Sequence, residues 1–458
     1  MEVKVTIPKR RKLFETFITI GICPDYLDSI DLNTLLLTPK LTYSYPDNQT
    51  SNYEYYKNFC YKDGVNVIRM ELTSESEYAV NILESNFFSK PISTFAFMKP
   101  SLDKAPDKYI YGMKFHDIFI FKPKKNVKQN SINVFQYEKC YLFISNEPYF
   151  QTLEIMCKEF LNIKKLNYLN NLTSFTCFFE QGKLDKFHYF NNESNNETIN
   201  TIIQKVHKTT YQTSLKYLNE LSPNLIDKEC YLSWLLRKVI SHYDSSTFFR
   251  IMVMVLLEQQ VLFYGNNLEL ITFSSLLFSS IISPFKWKYP LIPNLPLDQI
   301  QMLSSPVPYL AGIQAEEKDL SDITNTNTTN LIKVEDNHIE IKISLNNDYN
   351  YKDCLYYLNG LIDRAFWKVE SEHFKKNEKI TKKYCEEIRE DILKGINTSI
   401  IDKMKTHIIS KNNGEEFEIE KIKKVIKKEI ISQWDSKFFS DFCETEMFIC
   451  LYETLLNN

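Results

Sequence analysis

The sequence predicts an α/β fold built from more than one compact unit, and three observations predict it. The chain has 458 residues, 43% of them hydrophobic and 14% aromatic. That is enough for real cores and, at roughly 100–200 residues each, for two to four units. The first third sets aromatic and β-branched strand patterns in series. From about residue 200 the rhythm changes to helix–strand alternation, the pattern of a parallel sheet with crossovers.

Taken in order, Leu13 to Ile20 is a β-branched and aromatic strand stopped by Gly21 and Pro24. Further strands are expected at Val65–Leu72, Thr94–Met98, Tyr109–Phe121 and Lys139–Ser145. Pro148 then opens a helix whose apolar face carries Leu153, Met156, Cys157 and Phe160. Strands in series with a helix on one side point to an antiparallel sheet. Residues 161–200 are Asn-rich and read as a loop-rich linker with one strand, Phe175–Phe179.

Helices over Leu232–Ser241 and Ser246–Gln259 precede a short buried strand, Val261–Tyr264, ended by Gly265. A helix over Leu268–Ser283 leads to a strand over Lys286–Ile292, and Pro296 begins a helix over Leu297–Leu303. After a polar loop, Ser321 to Asn330, strands fall at Leu331–Val334 and Ile339–Ile343. The remainder is helical. Leu358, Ile362, Ala365 and Val369 share one face, and Ile388, Ile392 and Leu393 mark a second helix stopped by Gly395. Ile419, Ile422, Ile426 and Ile430 recur at helical spacing after the Asn413-Gly414 turn.

Composition excludes several chemistries. Only nine residues are glycine, against roughly 7% in average usage, and the nearest two, Gly395 and Gly414, are nineteen apart. Phosphate-cradling loops need closely spaced glycines, so no Walker loop, kinase glycine loop or dinucleotide fingerprint exists in the chain. A net charge of −3 gives no electrostatic reason to expect nucleic acid. The ten cysteines form no CxxC pair and read as buried, reduced thiols. The seven histidines never fall three or four apart, so no zinc site is expected, nor any other metal or cofactor.

Met1 to Lys12 is basic but leads into a strand, unlike a signal peptide. The longest apolar stretch, Phe248 to Phe285, is broken by Glu258-Gln259-Gln260 and by Asn266-Asn267, too short on either side to span a bilayer. A cytoplasmic location is the expectation.

Few individual residues suggest chemistry of their own. Glu258 has no histidine or carboxylate partner nearby in sequence, so helix-end hydrogen bonding or simple exposure is expected and no catalytic residue is assigned. Trp287 and Tyr309 are expected to pack in the core. Lys421, Lys423, Lys424, Lys427 and Lys428 form a basic stripe expected to be a solvated helix face. The cluster Lys9-Arg10-Arg11-Lys12 is expected to be a solvated tail, with an anionic membrane as the alternative. His116 and His188 adjoin aromatics and read as ordinary hydrogen-bonded residues.

Leu256-Leu257-Glu258-Gln259-Gln260-Val261-Leu262-Phe263-Tyr264 opens a more specific stretch. It continues as Pro284-Phe285-Lys286-Trp287, Tyr289-Pro290-Leu291-Ile292-Pro293-Asn294-Leu295-Pro296 and Ser305-Pro306-Val307-Pro308-Tyr309-Leu310-Ala311-Gly312-Ile313. Three proline-anchored blocks in this order resemble the central module of DENN-domain proteins. Leu13 to Ile22, with Pro39-Lys40-Leu41 and Tyr45-Pro46, resembles the start of the upstream module. Cys140 to Phe150 resembles its closing strand and following helix. Phe439 to Phe448 resembles the terminal helix of the downstream module, with Glu446 where the family often has Gln.

The resemblance implies a bilobal α/β fold. A longin-like antiparallel lobe over residues 12–160 would be joined by the 161–200 linker to a three-layer α/β lobe. The central module would span 201–313 and the downstream module 314–458, the latter with an extended helical region at 354–433. Asp319-Leu320-Ser321-Asp322 loosely echoes its acidic opening. The resemblance further implies guanine nucleotide exchange on a Rab GTPase through a surface between the lobes. Such a protein needs no cofactor or covalent chemistry and holds no nucleotide of its own. It would work in membrane trafficking, recruited peripherally to vesicle or endosomal membranes. The alternatives are a non-catalytic scaffold or effector, or a subunit of a GTPase-activating complex of folliculin type. Arg237 and Arg250 would then be the arginines to test.

Overall fold

The computed structural model describes residues 12–22, 36–46, 53–61, 64–72, 91–99, 108–121, 132–163, 193–209, 211–221, 231–324, 329–336, 338–343, 355–376, 382–405, 423–424 and 437–456. The chain divides into two compact units, Met1–Glu229 and Cys230–Asn458.

The first unit is built on an antiparallel, seven-stranded sheet. Its strands are β1 (Thr16–Gly21), β2 (Leu36–Leu37), β3 (Lys40–Tyr45), β4 (Val65–Leu72), β5 (Ser93–Lys99), β6 (Lys108–Phe121) and β7 (Ile132–Ser145). The long strand β7 organises the sheet. One edge pairs along its length with β6, while the other takes β4 on its first half and β1 on its second. Every residue of β1 is buried, as expected of a central strand covered on both faces.

A helix over residues 150–163, α2, covers one face with Leu153, Met156, Cys157 and Phe160, all fully buried. Phe160 meets Phe17, Tyr141 and Phe143 at centroid distances of 6.1, 6.2 and 6.3 Å. On the opposite face α1 (Tyr53–Cys60) stacks Phe59 on Phe97 at 4.4 Å. Just beyond α1, the buried Tyr61 hydroxyl reaches the carbonyl oxygens of Ile20 at 3.0 Å and Glu138 at 3.1 Å. The helical pair α3 (Glu193–Lys208) and α4 (Tyr211–Leu221) completes the unit.

The beginning of α3 falls inside the Asn-rich stretch expected to be loop. Asparagine is a poor helix former, but Ile199, Ile203 and Val206 line up at helical spacing and are buried, and packing overrides propensity. The strand expected at Phe175–Phe179 lies outside the described residues.

In the second unit a five-stranded sheet runs in the order β12-β11-β8-β10-β9. Its members are β8 (Val261–Gly265), β9 (Leu291–Leu295), β10 (Leu310–Gln314), β11 (Asn330–Val334) and β12 (Ile339–Ile343). The first four are mutually parallel and β12 is antiparallel to β11. Helices α5 (Tyr231–Val239), α6 (Ser245–Leu256) and α7 (Leu268–Ile281) precede or follow β8, giving the alternation read from the sequence. Asp244 caps α6 by accepting from the Thr247 amide at 2.8 Å, and Asn267 caps α7 by accepting from Leu270 at 3.1 Å.

Phe263 faces α7 through Phe278, while Leu262 and Tyr264 point the other way into a core with Leu295, Tyr309, Ile313 and Leu320. Gly312 sits where β10 passes α7. A Cβ there would lie 2.3 Å from the Pro293 carbonyl oxygen and 2.6 Å from Ile271 Cγ2, so only glycine fits this crossing. Strand β9 starts at Leu291, not at Lys286, because residues 282–290 turn. Pro290 ends that turn, and its carbonyl oxygen accepts from the Leu310 amide at 3.1 Å.

The C-terminal part is helical: α8 (Tyr356–Lys376), α9 (Lys382–Ile396) running into a π-helical turn, α10 (Lys437–Phe442) and α11 (Glu446–Leu456). Leu358, Ile362, Ala365 and Val369 form the buried face of α8, as their spacing predicts. Of the helix expected around Ile419 to Ile430 only residues 423–424, both helical, are described, and the Asn413-Gly414 turn lies outside the described residues. No helix among the described residues is long and apolar enough to cross a membrane.

Candidate functional site

The polar triplet that interrupts the apolar run after α6 is the hub of the second unit. At Glu258 the backbone takes φ +52°, a left-handed turn that ends the helix and sends three successive side chains in different directions. Glu258 is buried. Its Oε2 accepts from the Glu446 amide at 2.8 Å and from the Tyr289 hydroxyl at 3.2 Å, and its Oε1 accepts from the Met447 amide at 2.9 Å. The carboxylate therefore caps the N-terminus of α11, where unpaired amides and the helix dipole favour negative charge. Burial pushes its carboxyl above the ordinary 4.5, while the two amides and the tyrosine pull it down.

Gln259 accepts from Asn330 Nδ2 at 3.1 Å. Gln260 Nε2 donates to the carbonyl oxygens of Ser305 at 2.8 Å and Val307 at 3.0 Å. Its Oε1 accepts from the Thr329 hydroxyl at 3.1 Å. That spends the threonine proton, so the Tyr309 hydroxyl, 2.8 Å away, donates to Thr329 Oγ1. The Gln260 carbonyl oxygen accepts from both the amide and the side chain of Asn330 at 3.0 Å. Three residues thus tie the starts of β8, β10 and β11 to the last helix.

This network holds the Pro306–Pro308 loop in place with apolar groups outward. Val307 is 43% exposed, and Met302 in the preceding 3-10 turn is 56% exposed. Tyr309 is buried in the core, as expected. Trp287 is only half-buried: its indole donates to the Pro290 carbonyl oxygen at 3.3 Å and its ring meets Tyr289 edge-on at 5.7 Å. The core role expected of Trp287 belongs instead to Phe285, buried against Phe442 at 5.4 Å.

The other singled-out residues are scattered. Arg237 is half-buried in the last turn of α5 and Arg250 exposed on α6. His116 faces Gln136 Nε2 at 3.0 Å, and burial lowers its pKa, which keeps the ring neutral. Asp319 accepts from the Glu316 amide at 3.0 Å and closes a capping box at a 3-10 turn. Lys423 departs from the solvated stripe: it is buried and lies 3.4 Å from Glu444, 21 residues away in sequence, while Lys424 is exposed. Lys421, Lys427, Lys428, His188 and Lys9 to Arg11 lie outside the described residues.

One surface was missed in the sequence. Opposite the apolar face of α8 stand Tyr356, 78% exposed, and Trp367, 67% exposed. They are eleven residues apart, about three full turns, so they share a stripe. Their position facing away from Leu358 and Ile362 is the signal that would have found them. The sequence model of the family described as DENN (AEX-3) domain matches residues 136–337. That span runs from within β7, through the helices α2 to α6, to just past β11.

Proposed function

From a chain that carries a DENN (AEX-3) domain, with an antiparallel curled sheet followed by a mixed sheet with helices consistent with the bilobal DENN fold, we propose a guanine nucleotide exchange factor for a Rab-type small GTPase. The observation that carries the proposal is the domain itself, which is typical of Rab exchange factors. Residues 12–160, 201–313 and 314–458 are proposed as its upstream, central and downstream modules, in a cytoplasmic protein recruited peripherally to vesicle or endosomal membranes.

Exchange is differential binding. A surface that prefers the open, nucleotide-free GTPase must weaken GDP binding by the same factor, because linkage is reciprocal. A preference of about 10⁴ corresponds to roughly 5.5 kcal/mol. Contacts that hold the switch segments away from the phosphates and magnesium supply it, on an interface of about 800 Å² per partner. No proton transfer is required of this chain, and Glu258, the buried carboxylate of the hub, is already engaged as a helix cap.

The test is release of a fluorescent GDP analogue from a panel of Rab proteins. The purified chain accelerates release from at least one. Should it accelerate none yet bind one loaded with GTP, the exchange reading falls and an effector or scaffold replaces it. Faster hydrolysis without faster release would move the proposal to GTPase activation. Arg237→Ala and Arg250→Ala, tested in turn, would then locate the arginine.

A further inference from the structure

We infer that one corner of the first unit binds the anionic headgroups of a lipid bilayer. The corner forms where basic segments distant in sequence converge. His207, near the end of α3, bonds through Nε2 to the Glu15 carbonyl oxygen at 2.8 Å. Its ring packs against Phe14 and Tyr45 at centroid distances of 5.6 and 4.9 Å. These contacts bring the last turn of α3, with the exposed Lys205 and Lys208, to the foot of β1, where Lys12 stands. Lys12 lies 4.0 Å from the Glu15 carboxylate with its side chain 43% exposed. Lys108, at the start of β6, donates to Asn146, which in turn donates to Glu15 Oε1 at 3.2 Å. Burial lowers the His207 pKa; the Glu15 carbonyl and carboxylate oppose that shift, while the charges of Lys12 and Lys208 add to it.

Lysines in the last turn of a helix offset its dipole, which accounts for Lys205 and Lys208 by themselves. It does not account for Lys12, just before β1, or for Lys108, at the start of β6. Four lysines converge on this corner with two acids, Glu15, which Lys12 faces at 4.0 Å, and Glu147, next to Asn146 in sequence, so the named groups sum to positive charge in a chain whose net charge is −3.

Each lysine near an anionic bilayer adds to the attraction within a Debye length, about 8 Å at physiological salt, so clustered cations reinforce one another. Nucleic acid fits less well. The corner's rings, Phe14 and Tyr45, are engaged with His207 and not offered to bases.

The inference takes its biological sense from the proposed trafficking role, but its test needs no GTPase, so either can fail alone. The full-length chain is sedimented with vesicles of phosphatidylserine and phosphatidylcholine, and with phosphatidylcholine alone. Binding is expected to the first only, and to vanish as salt rises from about 0.1 M to about 1 M. The double variant Lys205→Glu/Lys208→Glu weakens partition at least about tenfold. Lys205→Gln/Lys208→Gln, which does not set acids against the helix dipole, weakens it less and lowers the melting temperature by only about a few degrees. Equal binding to both vesicle types, or unchanged binding of the two double variants, overturns the inference. Displacement from vesicles by single-stranded RNA at substoichiometric amounts would overturn it as well, reassigning the corner to nucleic acid.

Discussion

Glu258 combines two features that pull in opposite directions, a left-handed backbone and a buried carboxylate with three donors. The left-handed conformation costs a residue with a Cβ about 1–2 kcal/mol. Losing the carboxylate strands the amides of Glu446 and Met447, at about 1–3 kcal/mol for each buried donor left unpaired. Glu258→Ala is therefore expected to destabilise the chain by about 3 kcal/mol in denaturant unfolding. Glu258→Gly, which also loses the acceptor but relaxes the backbone, should be the more stable of the two by about 1 kcal/mol. An alanine variant equal to or better than the glycine variant would mean that the turn is unstrained.

The same residue gives a pH dependence. Its carboxyl, lifted above the ordinary 4.5 chiefly by burial, holds its proton more tightly in the folded than in the unfolded chain. Its contribution is then fullest below that value and is lost as pH rises through the folded-state pKa. The stability of wild type relative to Glu258→Gln should fall across that interval, as read from urea titrations at stepped pH. A difference that grew with pH would refute this sign.

At the scale of elements, two glycines make opposite predictions. Gly312 lies against the Pro293 carbonyl and Ile271 at the crossing of β10 and α7, where backbone leaves no room to yield. Gly312→Ala is expected to cost at least about 2 kcal/mol as overpacking. Gly360 lies inside α8, and a Cβ added there would meet nothing within 4 Å. At that position the unfolded chain loses freedom and the helix gains propensity, so Gly360→Ala should add about 0.5–1 kcal/mol. Calorimetry on the two variants checks both, and a shift of the same sign in each would contradict the packing described.

Elements were legible in the sequence where local pattern and packing agree. The buried run Val261–Tyr264, ended by Gly265, and the apolar face of α8 announce themselves within a few residues. Misreadings occurred where tertiary contacts decide. The start of α3 is helical despite its asparagines because Ile199, Ile203 and Val206 find a core. The aromatics Trp287 and Tyr289 read as strand, but they belong to a turn closed by Pro290. Lys423 looked solvated because its partner, Glu444, stands outside any local window.

At the scale of the whole molecule, each of the two units has its own sheet and its own buried core. Fragments 1–229 and 230–458 are each expected to unfold cooperatively when expressed alone, with separate transitions by circular dichroism. A fragment that melts without a cooperative transition would show that its core is incomplete. The broad plan was readable at this scale because the proline-anchored blocks from Pro284 to Pro308 and the alternation around β8 are local signals. The hub was not. Glu258 meets amides 188 and 189 residues further along the chain, and no spacing rule joins positions that far apart.

That long reach has a consequence for how the protein is made. A ribosome adding about 5–20 residues per second needs roughly 10–40 s to travel from Glu258 to Met447. Throughout that interval the carboxylate that will cap α11 has no helix to cap. The second unit can close its polar hub only once Glu446 and Met447 have been made, so the hub's completion is timed by α11, not by the central strands.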